Sequence, residues 1–117
     1  LVRRLCEHCK TPYHAEQHET RLFGKLAEGD RPLLFRPTGC ALCDFQGYRG
    51  RIAIIELLRI DATLDELIAR RATTHEIRAR ALMQGFSTLA DDGLRRVLSG
   101  ATSLEELARV VDLTDRM

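Results

Sequence analysis

The chain has 117 residues, which is enough for one domain or two small modules. Its 18 basic and 17 acidic side chains give a formal net charge of +1, and this balance argues against a general nucleic-acid binder. Its apolar runs stay far below the roughly 20 residues of a membrane-spanning helix, so we expect no segment that crosses a bilayer. Because the first residue is Leu1 rather than methionine, we also expect the sequence to be part of a longer protein.

The first part of the chain predicts short elements separated by turns. An entry segment occupies residues 1–11. Sparse apolar positions over residues 15–27 predict a weak helix, ended by Gly29 and Pro32. Residues 33–36 then predict a short strand.

The middle of the chain changes from a strand pattern to a helical one. Residues 47–50 predict a turn, and the β-branched, mostly apolar run 51–58 predicts the best strand of the chain. Beyond residue 59 the apolar residues recur with the period of a helix. Three segments fit a capping box, in which a hydroxyl and a carboxylate bond free amides at a helix start: Thr63–Glu66, Thr73–Glu76 and Ser103–Glu106. The apolar stripe behind the last box comprises Leu104, Leu107, Ala108 and Val111, and glycines that predict helix ends are Gly85 and Gly100.

All four cysteines lie in two Cys-x-x-Cys knuckles, Cys6–Cys9 and Cys40–Cys43. Each knuckle places two thiolates close enough to bind one metal ion, and two knuckles supply the four sulfurs of a closed structural site. We therefore predict one structural Zn²⁺ with the ligands Cys6, Cys9, Cys40 and Cys43. Such a site has no open position for water or substrate, so the metal would stabilise the fold and perform no chemistry.

The sequence is less consistent with two other chemistries of these cysteines, and a third stays open. A redox dithiol belongs at a strand-to-helix turn of a βαβ unit, which neither knuckle shows. Two structural disulfides require an oxidising compartment, and the sequence shows no signal peptide. A four-thiolate site can also hold iron, and the sequence does not separate that metal from zinc.

These patterns predict an α+β fold. A small tetracysteine zinc-binding module with short strands occupies residues 1–58, and a C-terminal helical subdomain, a bundle of about four short helices, occupies residues 59–117. No catalytic motif is visible. The Gly24-Lys25 pair has Glu19 where a phosphate loop requires its first glycine, and every cysteine is assigned to a knuckle. Whether the chain is itself an enzyme therefore stays open.

Several segments form a further pattern that covers nearly the whole chain. They are Leu1–Lys10, Gly39–Cys43, Gly47–Arg51, Ile54–Leu58, Leu89–Leu94, Gly100 and Thr102–Leu107. Together they resemble the C-terminal part of the type II secretion system traffic ATPases. Assembly ATPases of type IV pili share much of this region and are the alternative, although residues 47–58 and the tail favour the secretion branch. Glu7 and Ala53 stand where the family often has proline and glycine, but neither is a ligand.

The resemblance implies a hexameric ATPase in the cytoplasm of a Gram-negative bacterium, peripheral at the inner membrane. It would drive a pseudopilus that exports proteins across the outer membrane. Its partners would be neighbouring subunits of the hexamer, the inner-membrane platform and other cytoplasmic-membrane secretion proteins, with no nucleic acid. ATP and Mg²⁺ would bind only in an upstream core, where that family has its nucleotide-binding and catalytic residues. The zinc role carries over onto the four cysteines of this chain.

A contact surface is predicted at the turn that follows the second knuckle. Tyr48, Arg49 and Arg51 combine an aromatic ring with two guanidinium groups, a composition typical of interface anchors. We predict that they contact another subunit, so that ATP-driven motion of the core would press this rigid appendage on its neighbour. In the alternative interpretation the two arginines balance the thiolate charge of the metal site. A generic zinc module that binds protein or nucleic acid also stays open, although the arginine pairs are scattered among acids.

Overall fold

The computed structural model describes residues 1–27 and 31–114 and confirms an α+β fold. Within those residues there are four short strands: β1 Val2–Leu5, β2 Thr11–His14, β3 Leu33–Arg36 and β4 Tyr48–Ile52. The helices are α1 Gln17–Phe23, α2 Ala62–Ala69, α3 Thr74–Met83, α4 Leu89–Leu98 and α5 Leu104–Val110. Short 3₁₀ turns span Gly24–Leu26 and Ala41–Cys43.

The strands form two antiparallel pairs. β1 pairs with β4, so that Val2 lies opposite Ile52 and Leu5 opposite Tyr48. β2 pairs with β3, so that Thr11 lies opposite Arg36. Each ladder therefore joins an element that precedes α1 to one that follows it.

The chain separates into two compact units. One comprises Leu1–Ile55 together with Leu89–Met117, and the other comprises Glu56–Thr88. The four predicted helices after residue 59 are present, with α2 and α3 in the second unit and α4 and α5 in the first. The predicted division into domains 1–58 and 59–117 stays a prediction.

The core of the first unit lies between its strands and its helices. Val2, Phe23, Leu34 and Leu94 are fully buried there. α4 and α5 approach closely at Gly93, where a Cβ atom would overlap the side chain of Leu107. A glycine at this point in α4 therefore reflects packing rather than backbone conformation.

Two details of the predicted strand and turn are wrong. The strand predicted over residues 51–58 begins earlier, at Tyr48, and ends at Ile52, so part of the predicted turn 47–50 belongs to β4. Residues 53–58 form no strand, because the pairing of β1 with β4 extends only to Val2 and Ile52. Apolar β-branched residues favour a strand, but a strand requires a partner for its backbone groups.

The helix ends are partly as predicted. Thr73 caps α3 by accepting a hydrogen bond from the Glu76 N–H. α2 is capped by Asp61 rather than by Thr63, since the Asp61 carboxylate accepts from the Leu64 N–H. α1 ends at Phe23 with Gly24 as its C-cap, and the predicted end at Gly29 lies outside the described residues.

The prediction of an apolar stripe on α5 is also only partly correct. Leu104 and Leu107 are buried, but Ala108 is exposed and Val111 is half-buried. Instead the acidic Glu106 is buried, at 3% exposure. The residues that α5 buries are therefore not all apolar.

Glu106 joins α5 to β1. Ser103 caps α5 by accepting from the Glu106 N–H, as predicted, but the Glu106 carboxylate does not complete the predicted box. One oxygen accepts from the Arg3 N–H at 2.7 Å, and the other accepts from the Arg3 guanidinium at 3.0 Å and from Arg109 at 2.8 Å. Two further bonds run from β1 to the turn before α5: the Leu5 N–H donates to Ala101 O and the Thr102 hydroxyl donates to Arg3 O, each at 2.8 Å.

Glu106→Gln should destabilise the fold at neutral pH and less so in acid. Burial alone would raise the pKa of Glu106, but its hydrogen bonds from Arg3 hold that pKa below the ordinary value of 4.5. The ionised carboxylate therefore contributes stability that is present above pH 4.5 and is lost as the pH falls through the lowered pKa. In urea unfolding at pH 7, we expect Glu106→Gln to lower the free energy of unfolding by about 1–3 kcal/mol. The difference from the unchanged protein should shrink as the pH falls through the lowered pKa of Glu106. Glu105→Gln, on the exposed side of the same helix, is the control; an equal loss for Glu106→Gln at every pH would contradict the role of its charge.

Candidate metal centre

The sheet register brings the two knuckles together. The first knuckle lies between β1 and β2, and the second lies between β3 and β4. Because Leu5 at the end of β1 pairs with Tyr48 at the start of β4, the knuckles meet beside this ladder. Thr11 at the start of β2 pairs with Arg36 at the end of β3, which brings the same two segments together from the other side.

The four cysteine sulfurs form one cluster. The Sγ atoms of Cys6 and Cys40 lie 3.8 Å apart, as do those of Cys9 and Cys43, and those of Cys40 and Cys43 lie 3.7 Å apart. All four sulfurs lie within 4.8 Å of one another, and all four cysteines are free. Four sulfurs bound about 2.3 Å from one tetrahedral metal ion are separated by about 3.8 Å. The cluster therefore fits a metal ion, whereas a disulfide requires sulfurs at about 2.05 Å.

Backbone amides point at two of the sulfurs. The Gly39 N–H donates to Cys9 Sγ at 3.3 Å, and the N–H groups of Cys40 and Gly47 donate to Cys43 Sγ at 3.3 and 3.2 Å. Burial alone would raise the pKa of the Cys43 thiol, but the amides of Cys40 and Gly47, together with the neighbouring Cys40 and Cys9 side chains, lower it to about 6. Burial raises the pKa of the Cys40 thiol to about 11. Amide donors that favour a thiolate are typical of the surroundings of metal-bound cysteine.

Two glycines make the second knuckle possible. Gly47 has a φ of 81°, and a Cβ atom there would overlap Pro37. Gly39 has a φ of 106°, and a Cβ atom there would lie 2.9 Å from Phe45 O. The Gly47 carbonyl also accepts from the Cys6 N–H at 2.9 Å, so this residue joins both knuckles. The sequence shows both glycines, but their amide bonds to sulfur depend on the folded backbone.

The predicted contact residues lie at the start of β4. Tyr48 is buried, at 8% exposure, and its hydroxyl oxygen lies 2.6 Å from Ser103 Oγ. The Arg3 guanidinium lies over its ring, 4.1 Å from the centroid. Arg49 and Arg51 are exposed. The ring of Tyr48 therefore packs within the unit, and the role of all three residues in a contact stays a prediction.

Among the helices of residues 1–27 and 31–114, there is no candidate for a membrane-spanning segment.

The fold and the site together define a small α+β domain with a tetracysteine cluster that could hold a metal ion. Residues 1–109 match the family described as Type II/IV secretion system protein, and the chain belongs to that family. The predicted resemblance is thereby confirmed.

Named relatives come from both branches of the family. The chain is 44% identical to the type II secretion system ATPase E of Vibrio cholerae, over 94% of this chain and 22% of that protein. It is 42% identical to the type II secretion system protein E of Pseudomonas aeruginosa, over 94% of this chain and 22% of that protein. The type IV pilus assembly ATPase TfpB of Acinetobacter baylyi is 37% identical, over 97% of this chain and 20% of that protein. The chain thus spans about a fifth of the length of these relatives.

Gly47→Ala should weaken metal binding. The added methyl group overlaps Pro37 and displaces the amide that donates to Cys43 Sγ, and disturbing such outer contacts typically costs about 10–100-fold in affinity. The measurement is a competition titration of Zn²⁺ against a chromophoric chelator at pH 7. Gly50→Ala is the matched control, because Gly50 has a similar φ of 82° but nothing within 4 Å of the added methyl group. An equal loss of affinity in both variants would assign the effect to backbone strain alone.

Proposed function

We propose that Cys6, Cys9, Cys40 and Cys43 bind one structural Zn²⁺ and that the chain is the zinc-binding C-terminal domain of a hexameric type II secretion ATPase. The observation that carries the proposal is the spacing of the four sulfurs, at 3.7–3.8 Å for three of their pairs, in a chain of this family. When bound, the metal would neutralise the thiolates and join the two knuckles.

A closed site of four thiolates supports a structural role rather than a catalytic one. All positions of a tetrahedral ion would be taken by protein, so water could not be activated there. Zinc is the usual metal for four sulfurs in a structural role, and its apparent affinity of about 10–16 kcal/mol exceeds the cost of closing the loop between the knuckles. ATP and Mg²⁺ would bind in a core outside these residues, consistent with the missing phosphate loop.

The secretion branch is favoured over the pilus branch by sequence identity. The two secretion relatives named above are 44% and 42% identical, whereas five pilus relatives range from 36% to 40%, over similar shares of this chain. The pilus assembly ATPase is the second candidate. Either assignment implies a cytoplasmic protein at the inner membrane, with the neighbouring ATPase subunits and the inner-membrane platform as its partners.

The exposed guanidinium groups of Arg49 and Arg51 support a contact with a neighbouring subunit. They lie on β4, which begins shortly after Cys43 of the second knuckle. A metal ion bound to that knuckle would therefore hold the strand that carries both arginines in position. Motion of the ATPase core would then be transmitted through a stiff element rather than a flexible loop.

Removing the metal should abolish the ordered fold of the first unit. Elemental analysis of the tag-free protein should give one zinc per chain. Chelation should release it with a large loss of the circular dichroism signal, because the two knuckles are joined by the sulfur cluster. Addition of Zn²⁺ should restore the signal. A metal-free protein that is fully folded would contradict the proposed structural zinc.

Charge reversal at Arg49 should weaken assembly of the full-length hexamer without changing its zinc content. Interface arginines that act as anchors typically contribute about 2 kcal/mol or more, so we expect the hexamer to dissociate at roughly 30-fold higher concentration in Arg49→Glu. Analytical ultracentrifugation measures this, and Arg21→Glu, an exposed change on α1, is the control. Loss of zinc from Arg49→Glu would instead support the interpretation that this arginine balances the thiolate charge.

A further inference from the structure

The tip of the second knuckle, residues 42–45, presents two large apolar side chains to solvent. Phe45 is 75% exposed and Leu42 is 54% exposed. Asp44 and Phe45 have positive φ angles of 54° and 61°, which a bulky residue adopts only under constraint. The Phe45 N–H donates to Cys40 O at 2.8 Å, a bond within the knuckle itself. The knuckle therefore fixes the backbone that carries the exposed ring.

The same unit contains an apolar cleft that these two side chains do not line. The cleft has a volume of about 700 Å³, within the range of clefts that bind ligands. Buried side chains from α1, α5 and the segment after α5 line it, namely Leu22, Leu104 and Leu113, and the half-buried ring of Phe35 on β3 joins them. The cleft thus offers an apolar surface to an inserted side chain.

Two exposed guanidinium groups also line the cleft. The Arg36 guanidinium lies over the Tyr13 ring, 4.0 Å from its centroid. Arg31 Nε donates to Ala15 O at 2.9 Å. Within residues 1–27 and 31–114, neither arginine makes an ion pair. Both positive charges are therefore available to an anionic group.

Three carboxylates line the cleft as well, and two of them have local contacts. Glu19 accepts hydrogen bonds from the Tyr13 hydroxyl at 3.1 Å and from the Glu16 N–H at 2.9 Å. A Glu16 carboxylate oxygen lies 3.4 Å from His18 Nδ1. Glu105, exposed on α5, makes no ion pair in the part of the chain that the structure describes. Since none of the three pairs with a guanidinium group of the cleft, those groups can pair with an incoming carboxylate.

We propose that the knuckle tip, residues 42–45, of one subunit inserts into this cleft of the neighbouring subunit. Leu42 and Phe45 pack on the apolar surface of the cleft, and the Asp44 carboxylate pairs with Arg36. The inference rests on the proposed function, in which the chain is part of a hexameric ATPase. It assigns the subunit contact a second element besides the exposed arginines of β4.

The chemistry of the tip identifies a second copy of the chain as the partner. Asp44 is exposed and makes no ion pair within the described ranges, so the tip offers two apolar side chains and one free carboxylate. The cleft offers an apolar surface and two free guanidinium groups, which complement them. Because tip and cleft are different surfaces of one unit, the contact is heterologous, and a heterologous contact can close a ring. Each subunit of the ring then inserts one tip and receives another.

Photochemical cross-linking in the full-length hexamer tests the contact directly. Benzoylphenylalanine in place of Phe45 should form cross-links between two subunits, which mass spectrometry should map to cleft residues such as Leu104 and Ala108. The same photoreactive residue in place of Met83, which is similarly exposed on α3, is the matched control and should give no cross-link to the cleft. Absence of the Phe45 cross-links, or their formation to another surface, would overturn the proposal.

Two further variants test the energy of the contact. Phe45→Asn removes the ring but keeps a residue type that tolerates a positive φ. We expect the hexamer to dissociate at a concentration about tenfold higher or more, with unchanged zinc content, because an apolar side chain leaves its partner surface. Met83→Gln is the control. Unchanged dissociation of the Phe45→Asn hexamer would contradict the inserted tip.

A charge exchange tests the pairing of Asp44 with Arg36. Asp44→Arg and Arg36→Glu should each weaken the hexamer, and their combination should restore most of the loss. Losses that simply add would overturn this pair. The unchanged ATPase separates the two proposals: a zinc-containing hexamer without cross-links to the cleft rejects only the inserted tip, whereas a protein that forms no hexamer overturns the tip contact and the proposed function together.

Discussion

The central geometric constraint on the first unit is that four sulfurs meet at one point, although 30 residues separate the two knuckles that carry them. The two strand ladders bring the knuckles side by side, and amides of Gly39, Cys40 and Gly47 fix the orientation of two thiols. Four thiolates without a metal ion would repel one another at this spacing. The cluster is thus a strong constraint on the region only when a cation occupies its centre.

β1 transmits that constraint to the helices. It pairs with β4 on one edge, and the turn before α5 bonds it on the other through Arg3 and Leu5. Cys6 follows β1 directly, so the contact between Arg3 and Glu106 helps to position the first knuckle from 103 residues away along the chain. Tyr48 lies between Arg3 and Ser103 and ties the start of β4 to the same helix.

Local signals in the sequence predicted what local chemistry determines. The cysteine spacing predicted the cluster, the apolar run predicted β3, and Thr73 and Ser103 predicted helix starts. Features that depend on distant partners were missed. Glu106 turns to Arg3 rather than to its own helix start, and the apolar residues after Ile52 form no strand, since the pairing of β1 with β4 ends at Val2 and Ile52. The burial of Tyr48 was missed for the same reason, because the sequence does not show that Arg3 lies over its ring or that its hydroxyl contacts Ser103.

X-ray absorption spectroscopy at the zinc edge tests the central claim most directly, because it reports the metal and its ligands together. The account predicts a zinc edge with four sulfur ligands at about 2.3 Å and no oxygen or nitrogen ligand. Gly47→Ala would be expected to broaden that shell. An iron-containing site, a mixed shell with oxygen or nitrogen ligands, or purified protein without bound metal would contradict it.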